Sequence, residues 1–177
     1  MRRPALLLAV GLAAGLLSGL GPTGCTTVQP LYGSLATPGH NQVVEQLRHV
    51  DVNAGGRVGQ HIRNELVFGF YGGDGVPDKV AYRLNVQVAD NSIPVDTARY
   101  SDLPAAYLQQ LSVSFTLVDT KTQKTLLTGT SFANAAYDIS TQRFANIRAA
   151  RDAEDRAAVV IANDIHVKLA AFFSKSH

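Results

Sequence analysis

Between residues 146 and 173 the chain contains neither glycine nor proline, and this stretch limits the possible folds more than any other. Within it Ala150, Ala153, Ala157, Ile161, Ile165, Leu169 and Phe172 recur at three- and four-residue intervals. That spacing predicts a long helix with one apolar stripe. Arg151, Asp152, Glu154, Asp155 and Arg156 fall largely off the stripe. Their interleaved charges read as a salt-bridged solvated face rather than an acid/base pair. A second helix is predicted over residues 58–70, where Val58, Ile62, Leu66 and Phe70 recur every four residues; the turn formers of 71–77 stop it. Neither helix can bury its stripe without a further layer of structure.

The intervening segments supply that layer. Tyr82, Leu84, Val86 and Val88 alternate with Arg83, Asn85 and Gln87. Leu111, Val113, Phe115 and Leu117 alternate with Ser112, Ser114 and Thr116. Each pattern is that of a strand with one solvated face, which favours antiparallel pairing. Residues 127–137 form a weaker strand, reached through a polar hairpin connection at 119–124. Residues 42–52 read as a further strand, ending at Asn53-Ala54-Gly55-Gly56. The expected fold is therefore α+β: a four-stranded, mostly antiparallel sheet with two helices packed on one face, in the order β-α-β-β-β-α.

The first residues belong to a different class. Arg2 and Arg3 precede an apolar run from residue 5 to 20, broken at Gly21-Pro22. A charged start, a short apolar core and small residues beyond it mark a secretory signal over residues 1–24. Pro22-Thr23-Gly24-Cys25 then resembles a lipobox, with Pro22 where that pattern prefers Leu. Cys25 is the only cysteine, so it has no intramolecular disulfide partner. Lipidation of Cys25 is the expectation, with covalent acyl groups and no other cofactor. Thr26 rather than Asp follows it, which resembles lipoproteins sent to the outer membrane. Residues 25–41, with Pro30, Gly33, Pro38 and Gly39, read as a tether, and residues 42–177 as a single domain. Removing Arg2 and Arg3 lowers the formal net charge from +2 to zero. No basic run or basic–aromatic interleaving points to nucleic acid.

The catalytic inventory is thin. His40, His49, His61, His166 and His177 are scattered, with none paired to another at metal-ligand spacing, and His61 and His166 are expected at the surface. Gly-x-Ser-x-Gly is absent. Gly55-Gly56-Arg57-Val58-Gly59 lacks the spacing of a dinucleotide-binding loop and a following parallel βαβ unit, so a plain turn into a helix is expected. Two candidate binding surfaces remain. Lys121 and Lys124 crown the last hairpin, as anion-pairing groups or as solubilising charge. The connection 90–106, with Pro94, Asp96, Arg99, Asp102 and Pro104, is either a projecting partner-contacting loop or a passive crossover.

The order of these segments resembles the lipopolysaccharide-assembly lipoprotein family LptE, in its alphaproteobacterial form. The likeness is carried by Cys25 with Gln29-Pro30-Leu31-Tyr32-Gly33, by Val58-Gly59-Gln60-His61-Ile62-Arg63-Asn64-Glu65-Leu66, by Tyr82-Arg83-Leu84-Asn85-Val86, by Ala136-Tyr137-Asp138, and by Asp152-Ala153-Glu154-Asp155-Arg156-Ala157-Ala158. It implies a non-enzymatic protein on the periplasmic face of the outer membrane. Such a protein plugs an LptD-like β-barrel and helps deliver lipopolysaccharide to the cell surface. It also implies lipopolysaccharide binding by basic residues near strand tips, for which Lys121, Lys124 and Arg99 are the nearest equivalents. An auxiliary lipoprotein of an ABC-type lipid or solute trafficking system would share the leader, the tether and the small α/β domain. A periplasmic hydrolase is the third class, and the residues offer it no nucleophile.

Overall fold

The computed structural model describes residues 40–72, 79–97 and 104–175. In chain order these form α1 (His40–Arg48), β1 (Val50–Ala54), α2 (Gly56–Tyr71), β2 (Tyr82–Thr97), β3 (Pro104–Asp119), β4 (Thr125–Asp138) and α3 (Arg143–Lys175). The strands lie side by side in sequence order. β2, β3 and β4 pair antiparallel, while β1 runs parallel to β2, with Val52 opposite Leu84. The expected α+β sheet is present as a mixed sheet, with one helix more than expected.

That extra helix corrects the strand expected over 42–52. Adjacent Val43 and Val44 look strand-like, but Val43 and Leu47 sit one turn apart and pack on the core, while Val44 and Glu45 face solvent. The strand proper is only Val50–Ala54, with Val50, Val52 and Ala54 buried. A second correction follows: β1-α2-β2 is a parallel βαβ unit, which the glycine spacing after β1 did not reveal. Gly55 caps α2 in an extended conformation without a side-chain bond, and Gly56 takes a φ of 75°. The segment is indeed a turn into a helix.

The third correction concerns the connection 90–106. β2 and β3 continue as a paired ribbon to Thr97 and Pro104, leaving only residues 98–103 between them. β1 covers β2 only as far as Val86. Val113 and Leu111 of β3, opposite Val88 and Asp90, still enter the core, but farther out the ribbon has little core to face, so hydrophobic alternation fades while backbone pairing continues.

The core lies between the sheet and the helices. Leu84, Val86, Leu111, Val113, Phe115 and Leu117 face Ile62, Leu66 and Phe70 of α2 and Ala153, Ala157, Ile161, Ile165 and Leu169 of α3. Phe173, not the expected Phe172, completes the α3 stripe, and Phe172 is half-buried. At about 1.5 Å per residue α3 spans roughly 50 Å, similar to the length of a 16-residue strand such as β3. The helix is long and apolar enough to cross a membrane, yet its apolar stripe is buried in this core.

Each edge of the sheet is blunted, which limits edge-to-edge pairing. On β1 the outward carbonyls of Val50, Val52 and Ala54 accept from the Tyr71 hydroxyl (2.7 Å), Arg63 Nε (2.9 Å) and Gln60 Nε2 (3.2 Å). Burial, then the Asp51 charge, pushes the Tyr71 phenol above its ordinary range, favouring the neutral donor. On β4, Lys168 Nζ and Arg156 Nη2 from α3 reach Thr130 O (2.7 Å) and Ala136 O (2.9 Å). On the outer part of β2, Pro94 lacks an N–H and the register shifts just after it.

Candidate functional site

The β3–β4 turn is braced from within. The Asp119 carboxylate accepts backbone N–H bonds from Lys121 (2.8 Å) and Thr122 (2.9 Å). These bonds, that from Thr122 first, hold the Asp119 carboxyl below the usual carboxylate range, with the Lys121 charge adding to them. Gln123 takes a φ of 56°, and its N–H donates to Asp119 O (2.9 Å). Thr120 Oγ1 donates to Ala81 O (2.8 Å), tying the turn to the start of β2. Lys121 and Lys124 are exposed on this fixed turn. Neither ammonium is paired with an acid among the described residues.

A polar groove of about 640 Å³ adjoins the turn, sharing Thr120 and Gln123 with it. Arg63, Arg83, Asp51 and the amides of Asn53 and Asn85 supply its polar groups. Arg83 Nε lies 3.7 Å from Asp51, and Asn53 Nδ2 donates to Asn85 Oδ1 at 3.3 Å. Alternation had already assigned Arg83 and Asn85 to the solvated face. Asp51, Asn53 and Arg63 join them only because β1 pairs parallel to β2 and α2 folds back over its edge, which no local pattern reports.

The remaining open face of the sheet is distinctive in its charge. Across it run Asn85, Gln87 and Asn91 of β2, Gln110, Ser112, Ser114 and Thr116 of β3, and Thr128, Thr130 and Asn134 of β4. Between Arg83 at one end and Asp138 at the other, no described side chain on this face is charged.

The sequence candidates do not converge. Arg99 lies outside the described residues, as do Cys25 and residues 25–39 of the expected tether. Thr97 and Pro104, which flank the segment holding Arg99, stand at the opposite end of β3 from Asp119. The strand's 16 residues span roughly 50 Å at about 3.3 Å each. Lys121 and Lys124 thus stand far from the strand ends on either side of Arg99.

The histidines behave differently from one another. His61 is partly exposed, 3.9 Å from Glu65. His166 corrects the surface expectation: it is half-buried, edge-on to the Phe70 ring at 5.5 Å, and burial lowers its pKa. In α3, Asp152 pairs with Arg156 (2.8 Å), while Glu154 and Asp155 clamp Arg57 of α2.

Edge-blunted strands, a helix layer on one face and a polar open face define a small two-layer α+β domain. A family model described as LptE, lipopolysaccharide-assembly, matches residues 46–169. The chain belongs to that family, whose description concerns assembly of lipopolysaccharide. A crystal structure of a protein from Caulobacter crescentus CB15, described as a lipoprotein, has a TM-score of 0.62 at 23% identity, covering 75% of this chain and 96% of that one. Rare lipoprotein B from Shewanella oneidensis has a TM-score of 0.52 at 12% identity, covering 69% and 93%. At these identities the likeness concerns the fold. No curated protein matches the chain in sequence.

Proposed function

We propose that this protein is a non-enzymatic outer-membrane lipoprotein, acylated at Cys25, that assembles with and plugs an LptD-like β-barrel and helps deliver lipopolysaccharide. The observation that carries the reading is the family match across nearly the whole described domain. The signal-like leader ahead of a lone Cys25 supports the anchor. Two or more acyl chains on one residue hold stably, since each buried CH₂ contributes about 0.8 kcal/mol. The uncharged, amide- and hydroxyl-rich sheet face suits a hydrated barrel lumen, whose lining is polar. Lys121 and Lys124, exposed on a hydrogen-bonded turn, would pair with lipid A phosphates through charge-assisted hydrogen bonds.

Affinity purification from outer membranes tests the partnership. Stoichiometric recovery of a large β-barrel is expected. Recovery of inner-membrane transporter subunits alone would instead assign the protein to an ABC-type trafficking system.

A further inference from the structure

Eight arginines lie in the described residues. Five are engaged: Arg57 with Glu154 and Asp155, Arg63 with Val52 O, Arg83 with Asp51, Arg156 with Asp152 and Ala136 O, and Arg48 with a partner of its own. The other three, Arg143, Arg148 and Arg151, make no ion pair or hydrogen bond with any described side chain. All three fall within the first nine residues of α3.

The same segment carries two exposed large apolar side chains, Phe144 at 84% and Ile147 at 42%. Positions 144, 147, 148 and 151 follow the i, i+3, i+4, i+7 spacing of a single helix face. Asp138, at the end of β4 just before α3, is an exposed acid beside this face but pairs with none of the three arginines, and the acids of α3 itself are engaged elsewhere. Asp152 is taken by Arg156, and Glu154 and Asp155 by Arg57. The face is therefore apolar and cationic at once, where a solvated helix surface would alternate charge signs.

From this geometry we infer that the first turns of α3 rest on an anionic phospholipid surface. Guanidinium groups pair with phosphates in forked geometry. Phe144 and Ile147 enter the boundary between headgroups and acyl chains, as the apolar side of an interfacial helix does. This contact is separate from the lysine turn, because α3 begins after β4 has run back the full length of the sheet. It requires a nearby bilayer and stands apart from the barrel partnership.

The chain contains no tryptophan, so Phe144→Trp introduces a unique fluorophore. The full-length protein is reconstituted with phosphatidylcholine vesicles, with or without phosphatidylglycerol, each containing brominated lipid. Emission from the introduced indole is expected to shift to the blue and be quenched when phosphatidylglycerol is present. Each arginine replaced by glutamine is expected to weaken that preference about fivefold, and Arg143→Gln with Arg148→Gln and Arg151→Gln to remove it. Phe68→Trp, on an exposed position of α2, is the reference and is expected to stay unquenched. Each of these results would overturn the inference: no quenching in the Phe144→Trp protein, equal quenching in the Phe68→Trp protein, quenching indifferent to phosphatidylglycerol, or quenching kept when all three arginines are replaced. Quenching confined to lipopolysaccharide-containing vesicles, or burial of the introduced indole only when a barrel is added, would overturn it in favour of those partners.

Discussion

Gly129→Ala tests the packing between β3 and β4 a few residues from the lysine turn. Gly129 of β4 stands opposite Phe115 of β3. A Cβ at 129 would lie 2.5 Å from Phe115 Cζ and 2.9 Å from Cε1, against ordinary carbon contacts of about 3.5–4.0 Å. The ring must then retreat by roughly 1 Å, yet Phe115 is only 1% exposed and sits in a close-packed core. Overpacking of this kind costs about 1–3 kcal/mol. Gly129 is not among the positive-φ residues, so alanine gains about 0.4–1 kcal/mol by restricting the unfolded chain. The net expectation is a loss of about 1–2 kcal/mol, or roughly 3–8 °C in Tm for a domain of this size. Urea and thermal unfolding of wild type, Gly129→Ala, Phe115→Leu and the double variant provide the measurement. Leucine removes the ring carbons that clash, so the double variant should be more stable than the sum of the single effects by about 1 kcal/mol. A Gly129→Ala midpoint at or above wild type, or additive effects, would refute the reasoning.

Cys25→Ser should abolish acyl labelling and release the domain to the periplasmic fraction; continued labelling would place the anchor elsewhere. Lys121→Glu with Lys124→Glu should weaken lipopolysaccharide binding about a hundredfold or more, if each charge-assisted contact contributes about 1.5–3 kcal/mol. Unchanged binding would reduce these lysines to solubilising charge. His166 should make stability pH-dependent with a definite sign. Burial lowers its folded pKa below the ordinary 6.5, so the unfolded chain binds the extra proton first. The stabilisation is present above about pH 6.5 and declines as pH falls toward the folded pKa. Tm profiles of wild type and His166→Gln between about pH 5 and 8 should converge at the acid end; parallel profiles would mean the imidazole is solvated.

Much of the fold was legible because it is local. Alternation in β2 and β3 and the four-residue recurrence in α2 and α3 report which face is buried without knowledge of the partner. The failures share a cause. Val43 and Val44 favoured a strand by type, whereas the helix is decided by where Leu47 docks. The outer ribbon of β2 and β3 lost its alternation because little of the core lies beneath it, although its backbone bonds continue. Of the candidate site, Lys121 and Lys124 were visible as the crown of a polar turn. The groove beside them was not, because Arg63 and Asp51 come from different elements.

By itself the sequence determined the period of each main element, the leader-like start ending at Cys25, and the basic character of the last turn. These depend on residues a few positions apart, where covalent spacing sets geometry. Tertiary structure alone decided the parallel pairing of β1, the space that Gly129 leaves for Phe115, and which arginines find partners. Arg151 and Arg156 look alike in the chain. Arg156 pairs with Asp152 one turn back, as local spacing allows, but its bond to the carbonyl of Ala136 exists only because the folded position of α3 brings the edge of β4 within its reach and not within that of Arg151.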